Sequence, residues 1–306
     1  MQKNSKRILA ASAAAALLLA FGVCVRKVNG LSAQLKQEQA LNNQIASELQ
    51  KSRDEGRQLE DRMSSLDSEL DTLKKENREL QEKYDKVVRQ KASSEESKKI
   101  AYLTFDDGPS IYTEQLLKTL RDNGVHATFF VVGTNAARYP DVIRTAQKDG
   151  NAVGIHCYNH TYSALYASQA AFFDDYSRMQ KLLADLLGAY PNICRFPGGT
   201  ANTVSDRYGG AHFMQKILPQ VTDMGIVPFD WNVDAGDAEG PPASAARIVS
   251  NIVGQAKKQR RPVILCHDIK KSTVEAMPAV IRQLKNLGYS FDVLSAEAPV
   301  CLQKPL

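Results

Sequence analysis

Apolar positions change their spacing twice along the 306-residue chain, which divides it into three stretches. From Ile8 to Val25 the residues are uncharged and predominantly apolar, with Lys3, Lys6 and Arg7 before them and Arg26 and Lys27 after. At about 1.5 Å per residue this run rises roughly 27 Å, close to the bilayer core of about 30 Å, and flanking basic residues hold the amino terminus inside. Residues 1–30 are therefore expected to form a signal anchor: a single-pass segment in the cell membrane, with the rest of the chain extracytoplasmic. Ala20 and Gly22 also make a small-x-small cleavage pattern, so a cleaved signal peptide and a secreted product is the alternative.

Residues 31–91 are rich in Gln, Glu, Lys, Arg and Leu, and the first proline of the chain is Pro109. Met63, Leu70, Asn77 and Tyr84 fall at position a, and Leu59, Leu66, Leu73, Leu80 and Val87 at position d, of one heptad frame. Such a seam predicts a coiled coil. Its single a-position asparagine favours two strands in register, hence a parallel homodimer. Leu31, Leu35, Ile45 and Leu49 extend the frame upstream, but Glu38, Asn42, Ser52 and Gly56 interrupt it, so that half is expected to be looser. About 60 helical residues make a stalk of roughly 90 Å. Residues 92–99, with their serines and charges, read as a linker.

Over residues 100–306 short β-branched or aromatic runs alternate with amphipathic stretches, the pattern of βα units around a parallel sheet. Seven runs stand out: Ile100–Phe105, Thr128–Val132, Ala152–Ile155, Asn192–Phe196, Ile226–Trp231, Pro262–Leu265 and Ser290–Leu294. Between them lie helical stretches such as Ile111–Asp122 and Thr273–Leu287. The expected fold is α/β, a distorted (β/α) barrel of about seven strands, closed or nearly so. Chemistry in such barrels gathers at the carboxy ends of strands, and each polar cluster below follows one of these runs.

Composition narrows the classes. With 39 basic and 34 acidic residues interspersed, the net charge of +5 does not suggest nucleic-acid binding. Five cysteines without a C-x-x-C pair suggest neither a zinc ribbon nor a disulfide framework.

Five clusters carry candidate chemistry. Thr104-Phe105-Asp106-Asp107-Gly108-Pro109 places adjacent carboxylates at a strand end, where a cation is the cheapest way to keep both ionised. His156-Cys157-Tyr158-Asn159-His160 spaces two imidazoles by four, which on a helical turn puts both on one face toward an ion. With an aspartate they make a two-His, one-Asp set that leaves positions open for water and substrate. Arg195-Phe196-Pro197-Gly198-Gly199 sets an arginine before glycines that permit close backbone approach to a ligand. The last two are Asp230-Trp231-Asn232-Val233-Asp234-Ala235-Gly236-Asp237, with the chain's only tryptophan, and Leu265-Cys266-His267-Asp268, a His-Asp pair suited to a general acid.

In this order and approximate spacing the clusters resemble those of the polysaccharide deacetylase family, carbohydrate esterases sharing the chitooligosaccharide deacetylase homology domain, over roughly Ala101 to Leu294. The resemblance implies a metal held by Asp107, His156 and His160, zinc being expected with Co2+, Ni2+ or Mn2+ as alternatives. It also implies Asp106 as catalytic base and His267 as catalytic acid. Arg195 is then expected to hold Asp106, with Asp234 or Asp237 tethering the arginine, and Gly198, Trp231 and Leu265 to line the substrate pocket. The partner is an N-acetylated cell-envelope polysaccharide. An exported, anchored enzyme meets peptidoglycan first, which favours N-acetylglucosamine there as substrate. Chitooligosaccharide, exopolysaccharide, N-acetylmuramic acid and acetylated xylan are rivals, and a non-catalytic coiled-coil envelope scaffold is the reading from another class.

The chain departs from the family pattern at four places. Cys157 stands between the histidines where Ser or Thr is usual, and Cys266 precedes His267. Gly198 replaces a frequent aromatic, and Ala238 follows Asp237 where Trp is common, which implies a more open groove. Both thiols are expected to be buried and inert.

Overall fold

In the computed structural model, which describes residues 2–238 and 240–303, the chain divides into two units, Met1–Gln90 and Lys91–Leu306. The first consists of helix α1 (Gln2–Ser97), which continues beyond the unit boundary. Part of α1 is long and apolar enough to cross a membrane. Along it Leu59, Met63, Leu66, Leu70, Leu73 and Leu80 are exposed. The helix runs on through residues 92–97, where the sequence predicts a linker, and only Lys98 and Lys99 separate it from the next element. No proline or glycine stops it there.

Alternation of side chains builds the second unit. In β1 (Ile100–Asp106), Ala101, Leu103 and Phe105 belong to the large core under the helices, whereas Tyr102, Thr104 and Asp106 take the opposite face. The chain continues through α2 (Thr113–Asp122), β2 (Thr128–Val132), α3 (Gly133–Arg138), α4 (Pro140–Lys148), β3 (Ala152–Cys157), α5 (Tyr162–Leu165), α6 (Gln169–Leu187) and β4 (Ile193–Cys194). It ends with α7 (Asp206–Gly209), α8 (Phe213–Asp223), β5 (Val227–Pro228), β6 (Val233–Asp234), α9 (Ala245–Ala256), β7 (Val263–His267), α10 (Lys271–Asn286) and β8 (Ser290–Phe291). The sheet order is β5-β4-β3-β2-β1-β7-β6, with β8 pairing the start of β1, and every pairing is parallel.

The result is a curled half-barrel rather than a closed one: β5 and β6 are its two edges. The run Ile226–Trp231, expected as one strand, divides into β5 and an irregular segment, and β6 follows as a separate strand. Inside the curl a smaller core of Tyr102, Phe130, Ile193, Phe229, Val263 and Leu294 fills the space beneath the polar clusters. Gly154 makes room for Phe130, whose ring atoms would lie 2.8 Å from any Cβ at that position.

Candidate active site

Strand register assembles the site. On β1 the inward residues are Tyr102, Thr104 and Asp106, and β7 presents Val263, Leu265 and His267 beside them. Asp106 terminates β1, and Asp107 follows with φ 74°, a left-handed conformation that aspartate tolerates better than most residues. That reversal turns Asp107 out of the strand, and its carbonyl accepts from Asn135 Nδ2 at 2.8 Å. Gly108 comes next because nothing larger fits: a Cβ there would lie 2.2 Å from both carboxylate oxygens of buried Asp268.

Asp107, His156 and His160 bring one ligand atom each within 4.8 Å of the others. Asp107 Oδ1 lies 3.4 Å from His156 Nε2 and 3.3 Å from His160 Nε2. These contacts are electrostatic, and the buried Oδ1 has no hydrogen-bond partner among the described residues. An orphaned carboxylate oxygen facing two imidazole nitrogens fits a divalent cation. His156 supports the same fit: its Nδ1 lies 2.7 Å from the carbonyl of Arg195, so Nδ1 must carry the proton and Nε2 offers its lone pair. The four-residue spacing works differently from the expected helical turn. His156 lies within β3, and His160 returns to it through a bend in which Asp175 of α6 accepts from the N–H groups of Tyr158 (2.6 Å) and Asn159 (2.9 Å). The two rings then stack at 5.2 Å.

Titration follows from this clustering. Burial pushes the Asp107 carboxyl upward, but His156 first, then His160 and His267, outweigh it and hold it below the ordinary carboxylate range. Burial opposes a charge on His156, yet Asp107 and Asp106 raise its pKa. At His160 burial and the neighbouring His156 win, and the pKa falls. Cys157 and Cys266 are buried, which pushes both thiols far up, and neither joins the ligand set.

Arg195 is wholly buried inside the half-barrel. Its Nη1 donates to Asp106 Oδ1 (2.9 Å) and Thr104 Oγ1 (2.6 Å), Nε to the carbonyl of Phe229 (3.0 Å) and Nη2 to that of Asp230 (2.8 Å). The guanidinium lies 4.5 Å from the Phe130 ring centroid. Backbone carbonyls therefore tether the arginine, in place of the expected Asp234 or Asp237. Asp234 instead accepts from Gly236 N–H at 2.7 Å, capping its own turn. Asp237 serves His267: its Oδ1 lies 2.8 Å from His267 Nδ1, and its Oδ2 accepts from His267 N–H (2.9 Å) and Thr273 Oγ1 (2.7 Å). Burial would lower the His267 pKa, but Asp237 first, then Asp106 and Asp107, raise it to about 9.

A cavity of about 540 Å³ opens onto these groups. Asp106, Asp107, His156, His160, Gly198, Trp231, Asp234, Leu265 and His267 line it, whereas Asp237 lies behind His267. The wall also contains Tyr162 and Arg247, which the motifs do not mark. Tyr162 stands edge-on to His160 at 5.4 Å, and Arg247 sits in the first turn of α9, a place a helix period identifies only once the sheet is known.

A parallel half-barrel with a metal-fitting triad at its strand ends defines an α/β enzyme. The polysaccharide deacetylase family model matches residues 93–212. A peptidoglycan-N-acetylglucosamine deacetylase of Bacillus cereus is 33% identical over 205 residues, spanning 66% of this chain and 71% of the relative. The catalytic domain of a peptidoglycan N-acetylglucosamine deacetylase from Eubacterium rectale superposes with a TM-score of 0.66 at 39% identity, covering 67% of this chain and 93% of that one. A Bacillus cereus polysaccharide deacetylase structure gives 0.59 at 34% identity, covering 67% and 97%. The chain belongs to the polysaccharide deacetylase family, and it is a deacetylase.

Proposed function

We propose that the protein removes N-acetyl groups from N-acetylglucosamine residues of peptidoglycan at the outer face of the membrane. The observation that carries this reading is the convergence on one cavity of the Asp107–His156–His160 triad, the Arg195-held Asp106 and the Asp237-held His267. Relatives named as peptidoglycan N-acetylglucosamine deacetylases support the substrate.

Asp107, His156 and His160 would hold the metal, zinc by preference, and a divalent ion there would supply Lewis-acid polarisation of the carbonyl and lower the pKa of the attacking water. Asp106 accepts the proton of the attacking water as it adds to the acetamide carbonyl. The buried Arg195 orients that carboxylate, and its own removal from water is offset by four hydrogen bonds. His267 enters protonated, its pKa being about 9, and delivers a proton to the departing sugar amine as the C–N bond breaks. Asp237 holds Nδ1, which leaves Nε2 for that transfer. Leu265 and Trp231 wall the space for the acetyl methyl group.

We assign residues 1–30 to a membrane anchor, 31–91 to a coiled coil, 92–99 to a connection and 100–306 to the catalytic domain. The exposed leucine seam on α1 supports a parallel homodimer, since a second helix would cover it.

The test is acetate release by the full-length chain, stripped of divalent metal and then reloaded, from peptidoglycan and from N-acetylglucosamine oligomers. Metal-dependent release from peptidoglycan is the expected result. Release from oligomers or exopolysaccharide alone would move the substrate, and no release from any acetylated polymer would favour the scaffold role.

A further inference from the structure

We propose that the carboxy-terminal tail, acting through Asp230, is a positioning element of the active site. Asp230 lies in the segment that joins the two open edges of the half-barrel, between β5 and β6. Among the described residues no strand pairs with its backbone, and the tail supplies the missing neighbour: Asp230 N–H donates to the carbonyl of Cys301 at 2.7 Å.

The side chain is fully buried, and no cation pairs with its carboxylate among the described residues. Arg195 bonds its backbone carbonyl instead. A buried carboxylate without a counter-ion depends on donors for its stability. Asp230 has three: Oδ1 accepts from Thr200 N–H at 2.9 Å, and Oδ2 accepts from Thr200 Oγ1 and from Gln303 N–H at 2.8 Å. One of these three donors belongs to the tail.

The same residue touches the reacting end of the site twice. Its carbonyl fixes Arg195 Nη2, the guanidinium that holds Asp106. Its carboxylate seats the Gly198–Thr200 turn so closely that a Cβ on Gly199, at φ 80°, would lie 3.0 Å from Oδ1 and 3.3 Å from the Trp231 ring. Gly198 and Trp231 are walls of the catalytic cavity. Moving Asp230 therefore displaces the Arg195 guanidinium and the Gly198–Thr200 turn at the cavity wall, whereas Asp107, His156 and His160 take no hydrogen bond from Asp230. The proposal rests on the assignment of Arg195 and Asp106 to the catalytic unit.

Gln303 gives a clean test, because the contact uses its backbone N–H and not its side chain. Gln303→Pro deletes the donor, and Gln303→Ala keeps it. In the full-length protein, Gln303→Pro is expected to lower kcat for acetate release about tenfold, with KM, bound-metal stoichiometry and Tm near those of the parent, and Gln303→Ala to leave kcat unchanged. A chain ended at Val300, which removes both tail contacts, is expected to lose more. Normal kcat in the shortened chain or in Gln303→Pro overturns the proposal, as does a loss that follows metal content or folded fraction, or an equal loss in Gln303→Ala. Arg195→Gln, measured alongside, separates the two layers: full activity in that variant refutes the catalytic-unit reading itself, independently of the tail.

Discussion

Asp106 and His267 are register partners across the parallel β1–β7 pair. A carboxylate and an imidazole thus stand side by side at the ends of adjacent strands, and each has its own partner: Arg195 for Asp106, Asp237 for His267. Opposed environments on adjacent titratable groups are how one site holds an acid and a base at the same pH.

On the proposed assignment, metal binding and proton transfer are expected to be separable. Asp107→Ala or His156→Ala is expected to abolish binding of the divalent ion, whereas Asp106→Asn keeps the ion and loses turnover by about 10²- to 10⁴-fold. Metal content by elemental analysis together with kcat checks this, and equal metal loss in all three variants would refute the base assignment.

The pH profile should report the Asp237–His267 pair. With a His267 pKa of about 9, kcat/KM is expected to fall as pH rises through that value and the acid loses its proton. Asp237→Asn removes the leading upward pull, so the basic limb moves to lower pH. A limb unmoved in Asp237→Asn would mean that another group sets it.

Arg195→Lys keeps the charge but not the fork. A lysine ammonium cannot reach Asp106, Thr104 and the carbonyls of Phe229 and Asp230 in the same planar arrangement. The expected result is a fall in kcat of roughly 10²-fold and lower stability, read by acetate release and thermal unfolding.

Asp268 is expected to make the stability of the fold depend on pH. Burial, followed by the charge on Asp107, raises its pKa to about 7 against the opposing pull of its Thr113 hydrogen bond. A carboxyl with a raised folded-state pKa costs nothing while protonated in both states, and the cost grows as pH rises from the unfolded value to about 7. Asp268→Asn is expected to gain stability relative to the parent between pH 4 and pH 8, by up to about 4 kcal/mol, as measured by urea unfolding. Parallel pH curves for the two proteins would contradict this.

Much of the site was legible because its parts are local. Asp106-Asp107, His156-x-x-x-His160 and His267 are short motifs at strand ends, and strand ends converge in any parallel barrel. What holds those parts was not legible, for a physical reason. The acceptors of Arg195 at Phe229 and Asp230 are backbone carbonyls, which every residue carries, so no residue type marks them. The Asp230–Gln303 contact spans 73 positions and follows no period. β6, two residues long, is too short for alternation to show, and α1 runs past residue 91 because serines and charges alone do not stop a helix.

The contact between Gly108 and Asp268 binds two positions into one unit of inheritance. Thr113 and the surrounding core hold the carboxylate in place, so a saturation library at position 108 is expected to return glycine alone. Other residues enter only in clones that have already shortened the side chain at 268. Sequence drift at this corner therefore has a fixed order of steps, opening from 268 and closed from 108.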